Sequence, residues 1–281
     1  MWNMQIVKEH FNIKKTEEWL LGFWKNIQLQ PEEMEADDLM HLFCGLAACH
    51  HFESRKDTEE VILFLDRYFG EKTHECHPVL FAYAYHVYRR IDAAKSIFFH
   101  NGLEQMVRGL QEELKSVPSS MILMVLGAYF GAVTPEELIV FLETGMKREA
   151  DLLMAPGGMQ EEQADALYAV TYLQMKELQP FLTEWYKTSD FAFSGLMLAE
   201  CRKYHIDAVA KYTAIMKFLR FDEALFIREG REFLHFQQRS SGSFGYLNPL
   251  AMDQGAASGK LLDRQYFLPS AHYAAASLSM L

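Results

Sequence analysis

Helical periodicity repeats along this chain in pairs, and that recurrence most constrains what the chain can fold into. Prolines at 31, 78, 118, 135, 180 and 269 stand at element edges rather than inside apolar runs. Proline is tolerated in the first helical turn, where its missing N–H has no partner to lose. Between these marks the sequence predicts Thr16 to Gln28 paired with Pro31 to Phe52, and Thr58 to Phe69 paired with Pro78 to Ile91. Leu103 to Leu114 pairs with Ser119 to Ala132, and Pro135 to Leu153 with Glu162 to Leu173. Pro180 to Tyr186 pairs with Asp190 to Tyr204, and Asp222 to Gln238 pairs across a long loop with Pro269 to Leu281. One further helix, Asp207 to Phe218, falls between the last two pairs. Hairpins recurring roughly every 35–50 residues are the mark of a solenoid or a closed array.

The two helices of each pair differ in composition. First helices carry an aromatic-aliphatic pair (Trp19-Leu20, Phe64-Leu65, Phe141-Leu142, Phe181-Leu182, Phe233-Leu234) and a charged face. Second helices are small and apolar nearly all round, as in Leu46-Ala47-Ala48, Leu126-Gly127-Ala128 and Ala274-Ala275-Ala276. A helix apolar on every side is buried on every side. The expected fold is therefore all-α, a single domain over 1–281. It is an (α/α)6 toroid of six hairpins with second helices inside, or else an open α-solenoid with the same grammar. The Asp207 helix is expected outside the ring.

One stretch is more specific. Phe233-Leu234, then Gln238, Gly242 and Phe244, resembles the QW repeat of terpenoid cyclases and prenyltransferase β-subunits. In those families a Gln ends an outer helix and a Gly-x-Trp turn follows; here Phe244 stands where Trp is usual. The resemblance implies an α/α toroid with Gln238 and Phe244 at a joint between helices. The families' catalytic motifs are not matched. The adjacent aspartates Asp37-Asp38 have His41 where the diphosphate-binding motif places a further Asp, and Asp-x-Asp-Asp is absent.

The bulk numbers exclude some functions. A net charge of -11 over 281 residues opposes nucleic-acid binding, which needs clustered Lys and Arg. It equally opposes an anionic membrane surface. No run of about 18 apolar residues and no secretory apolar core occurs, so a cytoplasmic protein is expected, its four cysteines reduced. No cofactor is expected. The metal reading on offer is zinc at Cys49-His50 and Cys76-His77, with Cys44, His51 and His74 nearby. A toroid sends those two dipeptides to opposite mouths, which counts against it.

In a toroid the inner helices run one way, so their N-termini converge on one mouth. Helix N-termini are electropositive and suit carboxylates or bound anions. That mouth gathers Asp37, Asp38, His41, His77, Asp165, Asp190 and His272 as candidate acids and bases. Asp190 also fits the role of an N-cap. Tyr83 and His86, deeper in their helix, and Tyr246 and Asn248, in the glycine-rich loop after Gly242, are candidate substrate contacts. The expected function is binding of a small, largely apolar molecule, with cyclase- or lyase-type chemistry. The alternatives are a non-enzymatic interaction module and a carbohydrate-active α/α barrel using paired carboxylates.

Overall fold

The computed structural model describes residues 11–27, 36–49, 121–131, 133–140, 161–187, 190–221, 224–245 and 267–280, with single positions between 63 and 105. Its helices in chain order are α1 (Ile13–Ile27), α2 (Ala36–Ala48), α3 (Met121–Tyr129), α4 (Glu161–Tyr172), α5 (Gln179–Trp185), α6 (Asp190–Lys203), α7 (Ile206–Phe218), α8 (Ala224–Gln237) and α9 (Leu268–Met280). Among the described residues there is no strand; one isolated antiparallel bridge joins Gln238 and Phe244. The protein is all-α over these residues, and none of their helices is long and apolar enough to cross a membrane.

Helix ends follow from local chemistry. α1 begins three residues before Thr16 because Asn12 is its cap. The Asn12 carboxamide oxygen accepts from the backbone N–H groups of Lys14 and Lys15, at 3.1 and 3.4 Å. Thr16, expected at the start, lies inside the helix and is fully buried. Thr134 and Glu137 form a reciprocal capping box at the start of the helical segment 135–140, with bonds of 2.9 and 3.1 Å. α6 ends in a Schellman pattern: Tyr204 N–H donates to Cys201 and His205 N–H to Glu200, with Tyr204 at φ +59°.

α1 buries Leu20 and Trp24 against α2 and α9 while Lys14, Glu18 and Lys25 face water. α2 packs along α9, where Ala271, Ala274 and Ala275 let the two helices approach closely. α9 packs on α7, α7 on α4, and α4 on α3. The expected all-round burial of α2, α4 and α9 agrees with this packing. The helix after Asp207 departs from expectation. α7 touches α4, α6, α8 and α9, and buries Ile206, Val209, Ala210, Thr213, Ala214 and Ile215. α6, expected inside, exposes Phe191 and Leu198. Lys211, on α7's packed side, is tolerated there because it is paired with Asp165, while Lys217 faces water.

The joint at the end of α8 ties that helix to the start of α1. Gln238 bonds through its side chain to Asn12 N–H (2.9 Å), Asn12 C=O (2.8 Å) and the Thr16 hydroxyl (2.8 Å). Thr16 in turn donates to the Gly242 carbonyl at 2.9 Å. Phe11 packs its ring against His235 and the buried Phe244. Gly242 has φ +95°, and any Cβ there would collide with the Lys15 carbonyl, so this turn demands glycine. Gln238 and Phe244 thus hold a structural joint between α8 and the start of α1.

Candidate functional site

Four helices bring polar side chains together from their second turns: His41 of α2, Asp165 of α4, Lys211 of α7 and His272 of α9. The leading turns of α2 and α9 bury Leu39, Leu42, Leu268 and Ala271, which fixes the two helices against each other. This sets His41 Nδ1 3.0 Å from His272 Nδ1, with ring centroids 5.2 Å apart. One ring must present an N–H and the other a lone pair, so the two imidazoles are held in complementary tautomers.

His272 is fully buried and His41 half-buried. Burial is the largest cause holding His272 well below the usual imidazole range, and the charges of His41 and Lys211 add to it. His272 is therefore neutral at pH 7. The adjacent helix N-termini act in the same direction, since their dipoles disfavour a nearby cation.

Tyrosines wall the pair. Tyr273 stacks on His272 at 4.5 Å and meets His41 edge-on at 5.4 Å. From α4, Tyr168 stands edge-on to Tyr273 at 5.3 Å and Tyr172 edge-on to His272 at 6.2 Å. Cys44, one turn after His41, hydrogen-bonds Tyr172, and burial drives its thiol far up from the ordinary range. It is an inert core thiol rather than a nucleophile. Lys211 Nζ lies 4.6 Å from the Tyr273 ring centroid and 2.5 Å from Asp165 Oδ1. The lysine side chain is 13% exposed and the Asp165 side chain 32%, so the ion pair sits where the cluster reaches solvent. The arrangement can exchange protons at His41, hold a neutral buried imidazole, and offer a cation beside an aromatic wall.

Of the expected site residues, the fold joins His41 directly to His272 and links Asp165 to them through Lys211 and Tyr273. Asp38 lies one turn before His41, half-buried. Asp37 belongs to α2 and Asp190 opens α6, whose neighbours are α7 and α8; both side chains lie outside the described residues. His77, Tyr83, His86, Tyr246 and Asn248 also lie outside them. Cys49 is buried, its thiol pushed up to about 12 by burial and by the charge of Glu17. Cys76, His50, His51 and His74 are outside the described residues, among which no group of His, Cys, Asp and Glu could hold a metal ion.

Sequence reasoning missed Lys211 and Tyr172. Lys211 had a signal: it is a single cation inside Ala208-Val209-Ala210 and Tyr212 to Met216, an otherwise apolar run. Tyr172 had none apart from its spacing of four from Tyr168. No known family, curated protein or solved structure matches this chain.

Proposed function

We propose that the protein is an α/α toroid of the terpenoid cyclase and prenyltransferase β-subunit type that binds a small, largely apolar molecule at its inner-helix mouth and moves a proton there. Two contacts support ring closure: the Gln238 joint between α8 and α1, and the packing of α9 on α2. An open solenoid has no reason to bring its first and last hairpins together.

The observation that carries the functional reading is the His41–His272 contact at 3.0 Å, roofed by tyrosines and bordered by Lys211. His41 is the less buried of the two rings, so proton exchange with a ligand is assigned to it. His272 fixes the tautomer of His41, as the orienting group does in other histidine-based acid–base sites. Lys211 is placed to stabilise negative charge that develops as a proton leaves. The tyrosine faces supply the apolar wall. This is the equipment of a cyclase or lyase that abstracts or returns a proton on an apolar skeleton.

The test is native mass spectrometry and thermal shift of the purified protein against a panel of small terpenoid and other apolar metabolites. A ligand that raises the midpoint for the wild type and fails to do so for His41→Gln supports the reading. No ligand response, with His41→Gln raising intrinsic stability as a repaired core position would, rejects it in favour of an interaction module.

A further inference from the structure

A second feature lies away from the histidine cluster. Between the C-terminal ends of α6 and α8 runs an open cleft of about 530 Å³, lined by Leu198, Cys201, Arg202 and Tyr204 from one side and Phe233 and Gln237 from the other. Pockets of this size hold small organic molecules. Its walls are apolar and aromatic: the Tyr204 and Phe233 rings stand 6.2 Å apart at 43°.

Two polar groups in this cleft lack what they need. Gln237 is 5% exposed, and its Oε1 is buried with no hydrogen-bond partner among the described residues. A buried carbonyl oxygen left without a donor loses its hydrogen bonds to water and gains none in return. Gln237 lines the cleft and its terminal torsion is soft and broad, so rotation of the amide is the step by which Oε1 would meet a ligand there. Arg202 is exposed and makes no ion pair among the described residues. The neighbouring carboxylates are already engaged: Glu200 holds Lys203 at 2.7 Å and His205 at 2.6 Å, and Glu229 lies 3.6 Å from Arg228. A guanidinium fork beside an apolar wall suits a planar carboxylate.

We propose that this cleft is a binding site for a small planar carboxylate that also carries an N–H or O–H donor. The carboxylate pairs with Arg202, the donor satisfies Gln237 Oε1, and the flat body lies against Phe233, Tyr204 and Leu198. Binding is non-covalent. Burial, with Glu200 and Glu229 nearby, pushes the Cys201 thiol up to about 11, so it is protonated and unreactive at neutral pH.

The experiment titrates the full chain with indole-3-acetate, which has a planar ring, a carboxylate and an N–H. Indole lacks the carboxylate and 1-naphthaleneacetate lacks the N–H. Isothermal titration is expected to rank indole-3-acetate tightest. Arg202→Met is expected to weaken it by on the order of tenfold or more and to erase its advantage over indole. Gln237→Leu is expected to erase its advantage over 1-naphthaleneacetate while holding or raising the thermal midpoint, because it removes an unsatisfied buried carbonyl. The proposal is overturned if indole-3-acetate shows no saturable binding at millimolar concentration. It is equally overturned if Arg202→Met binds like the wild type, or if His41→Gln abolishes binding and so assigns the probe to the histidine cluster. A sharp loss of stability in Gln237→Leu also counts against it, since that would show the amide to be satisfied within the protein.

Discussion

A histidine sealed from water cannot take up a proton where a solvated one does. His272 is such a residue, its native affinity for protons held well below the unfolded value of 6.5 by burial first and by His41 and Lys211 second. Below that pH the unfolded chain gains a proton that the native protein refuses. The stabilisation is therefore fully present above the unfolded value and is lost as pH falls. The expected loss is up to about 1.4 kcal/mol for each pH unit. Urea unfolding at pH 7.5 and pH 5.5 reads it directly. His272→Asn, which keeps a short polar group near the Nδ1 position, is expected to be less stable at pH 7.5 and to show a shallower decline toward pH 5.5. An unchanged decline would mean that His272 is not the group responsible. The sequence placed both histidines near helix starts, yet nothing in it said that they touch. That contact depends on the register of α2 against α9, which is set by Leu39, Leu42 and the small residues of α9 rather than by the histidines.

Between elements, close approach decides. α8 lies so near α7 at Gly230 that a methyl group there would collide with the Thr213 hydroxyl and the Met197 sulfur. Gly230→Ala is expected to destabilise the fold by about 1–3 kcal/mol, where in an open helix alanine would instead gain about 0.5–1 kcal/mol. Denaturant midpoints compare it with Gly195→Ala on α6, where the space is open and no such penalty is expected. The joint between α8 and α1 makes a second test. Gln238→Leu removes bonds to Asn12 and Thr16, so a loss of about 1–3 kcal/mol is expected, with faster amide exchange concentrated in α1. Exchange that quickens uniformly, or not at all, would deny the joint its role. The motif around Gln238 was legible because its turn needs glycine and its Gln ends a helix. The helix it grips was not, since Asn12 and Thr16 lie far away in sequence.

For the molecule as a whole, the arrangement of the chain ends carries most. α9 packs on α2 and α1, and the Gln238 joint ties the end of α8 to α1, so these elements share one core. Deleting residues 1–35 removes α1, uncovers the apolar face of α2 and leaves Gln238 without its partners. In a closed ring this is expected to abolish the cooperative unfolding transition of the entire protein, as followed by calorimetry and far-ultraviolet circular dichroism. An open stack would lose only one terminal repeat's share and keep a cooperative transition. A truncated protein that still melts cooperatively near the parent temperature would refute ring closure.

Local pattern alone determined that the described residues are helical, where most of their helices begin and end, and that α2, α4 and α9 are buried. Periodicity, caps and prolines act within a few residues and are written in the chain itself. Tertiary structure alone decided that α7 is packed among four helices while α6 exposes Phe191 and Leu198. Burial of Lys211 is tolerable only because Asp165 and the Tyr273 ring, distant in sequence, arrive beside it. The same holds for the candidate site. Single residues from α2, α4, α7 and α9 become one cluster only when four helices pack in register, and that register is a property of packed surfaces, not of any segment.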